Sequence, residues 1–388
     1  MRTLTLTADY PPFLAGGIGL HVAELNSLLV KKGIEPWVIT FCPPTETEGK
    51  IETKDGVSIV RVPQYPFIAS TFDTGFAQQN LPALEASVST VLKHGSFDLI
   101  DCQGYPLGLA AVSLKRLFDF PLIWHVHNIL SDTAPQTEST TWVYFRKVES
   151  YLAQSANWLV CVSNYIAKRC QELFNVKNDR ITVITKAIDP NFFKPCEGKK
   201  TDRSKTILFV GRLSPEKGIP ILLEALQHLI KDIDVRLLVV GFGTDKKYVE
   251  YLIDTARKLK LQHNVFFLGS KEGIELVSMY QQADVVAIPS IGEAFGKVAI
   301  EAMATGVPVV VSNVGGLGEI VEDNETGLKV EVNDSIGLAK ALHSILTDQQ
   351  LSLRLAKAAR DEVVKNYTWD KIVDSTINVY NHVSSLRN

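Results

Sequence analysis

Residues Leu4 to Phe41 read LTLTADYPPFLAGGIGLHVAELNSLLVKKGIEPWVITF, and the order of their patterns decides the fold. Leu4 to Thr7 is a short strand, and Asp9 to Gly19 a loop rich in Pro and Gly. His21 to Lys32 sets Val22, Leu25, Leu28 and Leu29 on one helical face, Gly33 stops the helix, and Trp37 to Phe41 is the next strand. Strand, loop, helix and strand in that order make a βαβ unit of a parallel sheet covered by helices.

The same alternation runs outward. Strands are expected at Ser58 to Val62, Leu99 to Cys102, Leu122 to Val126, Trp158 to Val162 and Ile181 to Ile184. It breaks at Pro190 to Ser204, a polar, breaker-rich stretch of the kind that links domains. A second series follows, with strands at Thr206 to Gly211, Val235 to Gly241, Val265 to Gly269, Val285 to Pro289 and Pro308 to Ser312. Helices at Ile219 to Ile230, Lys246 to Leu259 and Ile336 to Leu346 accompany them. The expectation is an α/β protein with two Rossmann-like, doubly wound domains, residues 1–192 and 205–368, facing a central cleft. Ligands in such sheets bind outside the carboxyl ends of the strands, so chemistry belongs in the loops that follow them.

Composition removes several classes. The 388 residues are 46% hydrophobic and 21% charged, which excludes a disordered or collagen-like chain. The formal net charge is −3, and neither half is strongly basic, so nucleic acid is not an expected partner. Five scattered cysteines without a C-x-x-C write neither a disulfide framework nor a thiolate metal site. No apolar signal core and no spanning segment is read, so a cytoplasmic protein is expected, with peripheral membrane contact left open.

The richest motif is PSIGEAFGKVAIEAMATG, Pro289 to Gly306. A strand ends, Glu293 stands in a loop, and a helix starting near Phe295 carries Glu301 on its second turn. Amides at that helix start, Ala294, Phe295, Gly296 and Lys297, offer an anion site for a phosphate or pyrophosphate. Glu293 can reach a polyol nearby, and Glu301 can accept from a vicinal diol such as a ribose. An acidic residue at a helix start can equally do no more than complement the dipole. A second loop, GRLSPEKG from Gly211 to Gly218, pairs the planar fork of Arg212 with the point charge of Lys217, as suits a departing diphosphate.

Other signals are weaker. Gly16 and Gly17 permit close backbone approach to a ligand ahead of a helix, but the glycines do not fit G-x-G-x-x-G. His125 and His127 share a side of one strand, and His127, last before the loop, is the one placed to reach a ligand. Metal ligation by the pair is conceivable, yet neither H-E-x-x-H nor a nearby carboxylate accompanies it. The turn Asn313 to Glu319 could close over a ligand, and the polar run Ser131 to Thr141 could be an acceptor lid.

Taken together these residues resemble the group 1 (family 4) retaining glycosyltransferases of the GT-B fold. The carriers are Tyr-Pro-Pro with Gly-Gly-Ile-Gly, His127-Asn128, Gly-Arg-Leu-x-Pro-Glu-Lys-Gly, Glu-x-Phe-Gly-x4-Glu-Ala-Met-Ala-x-Gly and Gly-Gly-x-x-Glu. The resemblance implies transfer of a hexosyl group from a nucleotide-diphosphate sugar to a hydroxyl acceptor, with retention and without a cofactor or bound metal. The acceptor would be a sugar, a lipid-linked sugar or a small molecule. It implies that Arg212 and Lys217 hold the diphosphate, Glu301 the ribose and Glu293 the donor sugar, that the amides of Phe295 to Val298 hold phosphate or sugar oxygens, and that Gly16 and Gly17 approach the phosphates from the other domain. His127 would sit beside the anomeric carbon, and a last helix of about 369–388 would cross back onto the N-terminal domain. The usual Asn-Gly before the linker is Lys186-Ala187 here, and the usual Pro after the first Glu is Ala294. Competing expectations are a sugar or nucleotide binding module, and an epimerase or phosphorylase of the same fold.

Overall fold

The computed structural model describes residues 1–13, 17–43, 46, 48–63, 72–130, 140–196 and 204–387. Among them the chain divides into two α/β units, Met1–Lys186 with Asp370–Asn388, and Ala187–Trp369.

The first unit is built on strands β1 (Arg2–Thr7), β2 (Glu35–Phe41), β3 (Lys50–Lys54), β4 (Val57–Val62), β5 (Leu99–Gln103), β6 (Leu122–Val126), β7 (Trp158–Cys161) and β8 (Ile181–Val183). Their order is β3-β4-β2-β1-β5-β6-β7-β8. All neighbours are parallel except β3, which pairs antiparallel with β4 and ends the sheet. Helices α1 (Gly17–Lys31), α2 (Phe72–His94), α3 (Gly108–Phe118), α4 (Thr140–Ser155) and α5 (Asn164–Phe174) connect them. Val22, Leu25 and Leu29 of α1 are buried, as the helical spacing requires, while the helix begins at Gly17, ahead of His21. Central β1 is covered on both faces, so even Thr3, Thr5 and Thr7 are fully buried.

The second unit contains β9 (Lys205–Val210), β10 (Val235–Val240), β11 (Val265–Phe267), β12 (Val285–Ile288), β13 (Val309–Ser312) and β14 (Leu328–Val330). They run parallel in the order β11-β10-β9-β12-β13-β14. Strand order reverses beside β9, so the loops after β9 and β12 leave the sheet at a topological switch point. Around it lie α6 (Ile219–Leu229), α7 (Lys246–Lys258), α8 (Gly273–Gln282), α9 (Lys297–Ala304), α10 (Leu317–Ile320), α11 (Ser335–Thr347) and α12 (Gln349–Asn366). Leu222, Leu223 and Leu226 of α6 and Leu338 and Leu342 of α11 pack with Ile207, Leu237 and Val285 of the sheet in one core.

The division falls between Lys186 and Ala187, ahead of the expected linker. Ile188 N donates to Tyr367 O at 2.8 Å, and Arg360 donates to the carbonyls of Pro190 and Phe193. Those bonds tie residues 188–193 to the second unit. Residues 197–203 of the expected linker lie outside the described residues.

The final helix, α13 (Trp369–Ser384), belongs to the first unit from Asp370 onward. Ile372, Val373, Val379, Tyr380 and Val383 form its buried face, Lys32 pairs with Asp374 at 2.9 Å, and the His382 ring packs against Trp158.

Candidate functional site

After β12 the chain turns through Pro289 to Gly296 before α9 begins. Gly296 has φ 111° and ψ 50°, and a Cβ there would lie 2.6 Å from Leu317 Cδ2. This left-handed backbone and lack of space suit glycine alone, and they delay the helix to Lys297, two residues past the expected start. The amides of Phe295, Gly296, Lys297 and Val298 have no hydrogen-bond acceptor among the described residues. With the dipole of α9 behind them, they can receive an anion. Gly316 N donates to Glu293 O at 2.9 Å, so the Asn313 to Glu319 turn is pinned to the Glu293 loop.

Two loops meet here. Ile291 N donates to Glu216 O at 2.8 Å, joining the loop after β12 to the loop after β9. Across that junction Lys217 Nζ lies 2.7 Å from Glu293 Oε2, with both side chains about four-fifths covered (19% and 18% exposed). Arg212, 65% exposed, reaches Glu216 Oε1 at 3.2 Å, and Ser214 Oγ donates to the same oxygen at 2.6 Å. The two cations therefore stand on one loop, each paired with a carboxylate, and Lys217 is tied through Glu293 to the loop that carries the open amides.

Glu301 is held by two neighbours of its own unit. It is only 6% exposed, Oε2 accepts the hydroxyl of Tyr280 at 2.7 Å, and Oε1 lies 3.4 Å from Lys297 Nζ. Each oxygen keeps a further lone pair, so Glu301 can still accept from a diol, in an orientation set by Tyr280 and Lys297. Tyr280 is fully buried, and burial, then the charge of Glu301, pushes its hydroxyl well above 10, so it acts as a donor. Sequence reasoning missed Tyr280. Its signal was the burial of a phenol on the apolar stripe of α8, since a buried Tyr hydroxyl needs a partner.

In the first unit His127 follows β6 and is buried, with Nε2 2.8 Å from Gln103 Oε1 and its ring 5.9 Å from that of His21. Burial, and then the positive charge of Lys186, holds its imidazole well below the usual histidine range, hence neutral. His125, on the same side, lies 3.3 Å from Asp101 Oδ1, so the histidine pair does have a carboxylate neighbour that the sequence left unseen. No three His, Cys, Asp or Glu gather as metal ligands among the described residues. No helix among them is long and apolar enough to cross a membrane. Gly17 opens α1 on the surface, whereas Gly16 and residues 131–139 of the expected lid lie outside the described residues.

Sheets reversing at a switch point, open amides at the α9 start, and Lys217 and Glu293 beside them match a known class. The family model for Glycosyl transferases group 1 matches residues 193–362, and that for Glycosyltransferase Family 4 matches residues 15–192. The chain belongs to the group 1 glycosyltransferases, enzymes that use nucleotide sugars. It is 30% identical over 399 residues to a glycogen synthase of Mycobacterium tuberculosis H37Rv, covering 98% of this chain and 94% of that one. It is 29% identical over 397 residues to a D-inositol 3-phosphate glycosyltransferase of Corynebacterium diphtheriae, covering 96% and 91%. Among solved structures it resembles sucrose-phosphate synthase from Thermosynechococcus elongatus, with TM-score 0.86, 24% identity and 99% of each chain covered. HepE of Anabaena, solved with UDP, aligns with TM-score 0.79 and 22% identity over 98% of this chain and all of that one. These likenesses give the fold class as GT-B.

Proposed function

We propose that the protein transfers a hexosyl group from a nucleotide-diphosphate sugar to a hydroxyl acceptor with retention of anomeric configuration. The observation that carries this reading is the Lys217–Glu293 pair at 2.7 Å beside the unpartnered amides of Phe295 to Val298. A diphosphate seated on those amides meets Lys217 and, once its guanidinium leaves Glu216, Arg212. Glu293, released from Lys217 by the phosphate, then accepts from the sugar hydroxyls, while Glu301 accepts from the ribose. As the bond from the anomeric carbon to the diphosphate oxygen breaks, charge grows on that oxygen under the cations and amides. The acceptor hydroxyl attacks from the same face, and its proton passes to the leaving oxygen. Each lost cation or amide contact of this kind costs about 10²- to 10³-fold in kcat. Charge is balanced by the protein, so EDTA treatment should leave the rate unchanged, and a rate restored only by a divalent cation would contradict this.

UDP-glucose is the first probe, because HepE was also solved with it; the GDP and ADP conjugates follow. Sugar acceptors and inositol phosphate are tested in parallel, and NMR of the product reads the anomeric configuration. Arg212→Ala and Lys217→Ala should remain folded and lose transfer. Full activity in both variants, or an inverted product, would end the proposal, and nucleotide release that needs no acceptor would favour an epimerase or phosphorylase.

A further inference from the structure

A line of buried polar side chains runs through the first unit behind His127. Asp101 and Gln103 lie two apart on β5, next to His125 on β6. Asp101, 1% exposed, accepts at Oδ2 from the hydroxyl of Tyr380 on α13 and, at 2.9 Å, from Gln103 Nε2. Its other oxygen faces His125 Nε2. Gln103 Oε1 then meets His127 Nε2 at 2.8 Å. His127 Nδ1 is buried and has no hydrogen-bond partner among the described residues.

The chemistry of these groups removes the ambiguity of the ring. A carboxylate only accepts, so the edge of Gln103 toward Asp101 is the NH₂ and the edge toward His127 is the carbonyl. A carbonyl also only accepts, so the proton of the neutral imidazole sits on Nε2. Nδ1 is left as a bare lone pair, and a buried acceptor without a donor is unfavourable until something fills it.

We propose that Gln103 is a positioning residue which, anchored by Asp101 and Tyr380, fixes His127 as the Nε2–H tautomer and makes Nδ1 the acceptor for a substrate hydroxyl. The hydroxyl rests on the transferase reading; the tautomer does not. In this form His127 has no proton to give at Nδ1, so it orients a hydroxyl group and does not act as an acid toward the leaving diphosphate.

Histidine-selective ¹⁵N labelling of the full chain, with His127 assigned from the spectrum of His127→Gln, reads both ring nitrogens through their two-bond couplings. The expected result is a protonated Nε2 and a bare Nδ1 in the wild type. In Gln103→Leu the expected result is a mixture of tautomers, with kcat lower by about tenfold, the worth of one hydrogen bond. KM for the nucleotide sugar should stay near its wild-type value. A protonated Nδ1 in the wild type, or an unchanged tautomer in Gln103→Leu, would overturn the proposal. Should Gln103→Leu not fold, the wild-type spectrum and Tyr380→Phe decide, the latter showing a partial shift toward the other tautomer. A ring as expected in a protein that binds no nucleotide sugar would end the transferase reading and leave the tautomer assignment standing.

Discussion

Removing one oxygen atom, by Tyr280→Phe, isolates what holds Glu301. The Tyr280 hydroxyl donates to Oε2 at 2.7 Å, and the carboxylate is 6% exposed, so water cannot replace the lost donor. Lys297 stays behind at 3.4 Å from the other oxygen. A hydrogen bond to a charged group is worth about 1.5–3 kcal/mol. At about 3 °C per kcal/mol for a domain of this size, the melting temperature of the second unit should fall by about 6 °C. The same loss frees Glu301 to rotate, so a nucleotide diphosphate should bind about tenfold more weakly, and the preference for ribo over 2′-deoxy forms should shrink. Differential scanning fluorimetry reads the first effect and titration calorimetry with paired nucleotides the second. In a Glu301→Gln background the same substitution should cost about half as much, because the acceptor is then neutral. A Tyr280→Phe protein with wild-type melting and an undiminished ribose preference would refute this account of Glu301.

Other consequences are sharper for being local. Gly296→Ala forces a Cβ against Leu317 at φ 111° and should cost about 1–3 kcal/mol, whereas Gly292→Ala, with open space around it, should melt like the wild type; equal melting of the two variants would contradict the strained turn. His125 and His127 are buried with protonation points below the ordinary 6.5, so the stability they carry is complete above pH 6.5 and drains as pH falls below it. Chemical denaturation between pH 7 and 5 should show that loss, and His127→Asn should flatten it. Tyr280 and Tyr380 are raised well above 10, so their contribution holds below pH 10 and fades as pH rises beyond it; the fall of stability between about pH 10 and 12 should therefore be shallower in Tyr380→Phe, which has no hydroxyl to ionise, and an equally steep fall in both proteins would contradict this.

What the sequence made legible was whatever local pattern determines. Period-2 and period-3.6 spacing located α1 and the strands around it, since burial of one face is written residue by residue. The loop after β12 was readable because a strand end, Glu293, Phe295-Gly296 and Glu301 follow in a fixed order. The start of α9 was misplaced by two residues because the left-handed Gly296 depends on Leu317, a contact no local window contains. For the same reason Tyr280 and Tyr380 went unseen: their hydroxyls matter only through Glu301, twenty-one residues on, and Asp101, 279 residues back. Lys217 and Glu293 were assigned separate ligands, and only the fold reveals that they pair with one another.

The placement of α13 carries a consequence for how the chain is made. Asp101 needs the Tyr380 hydroxyl, and residues 370–387 leave the ribosome only after the whole second unit has been translated. During synthesis the second unit can fold and close its own core while the first waits with a buried carboxylate still short of a donor. Chains cut after residue 369 and held on the ribosome through an added C-terminal linker should thus protect the second sheet from proteolysis better than the first, reversing the usual N-to-C order of maturation.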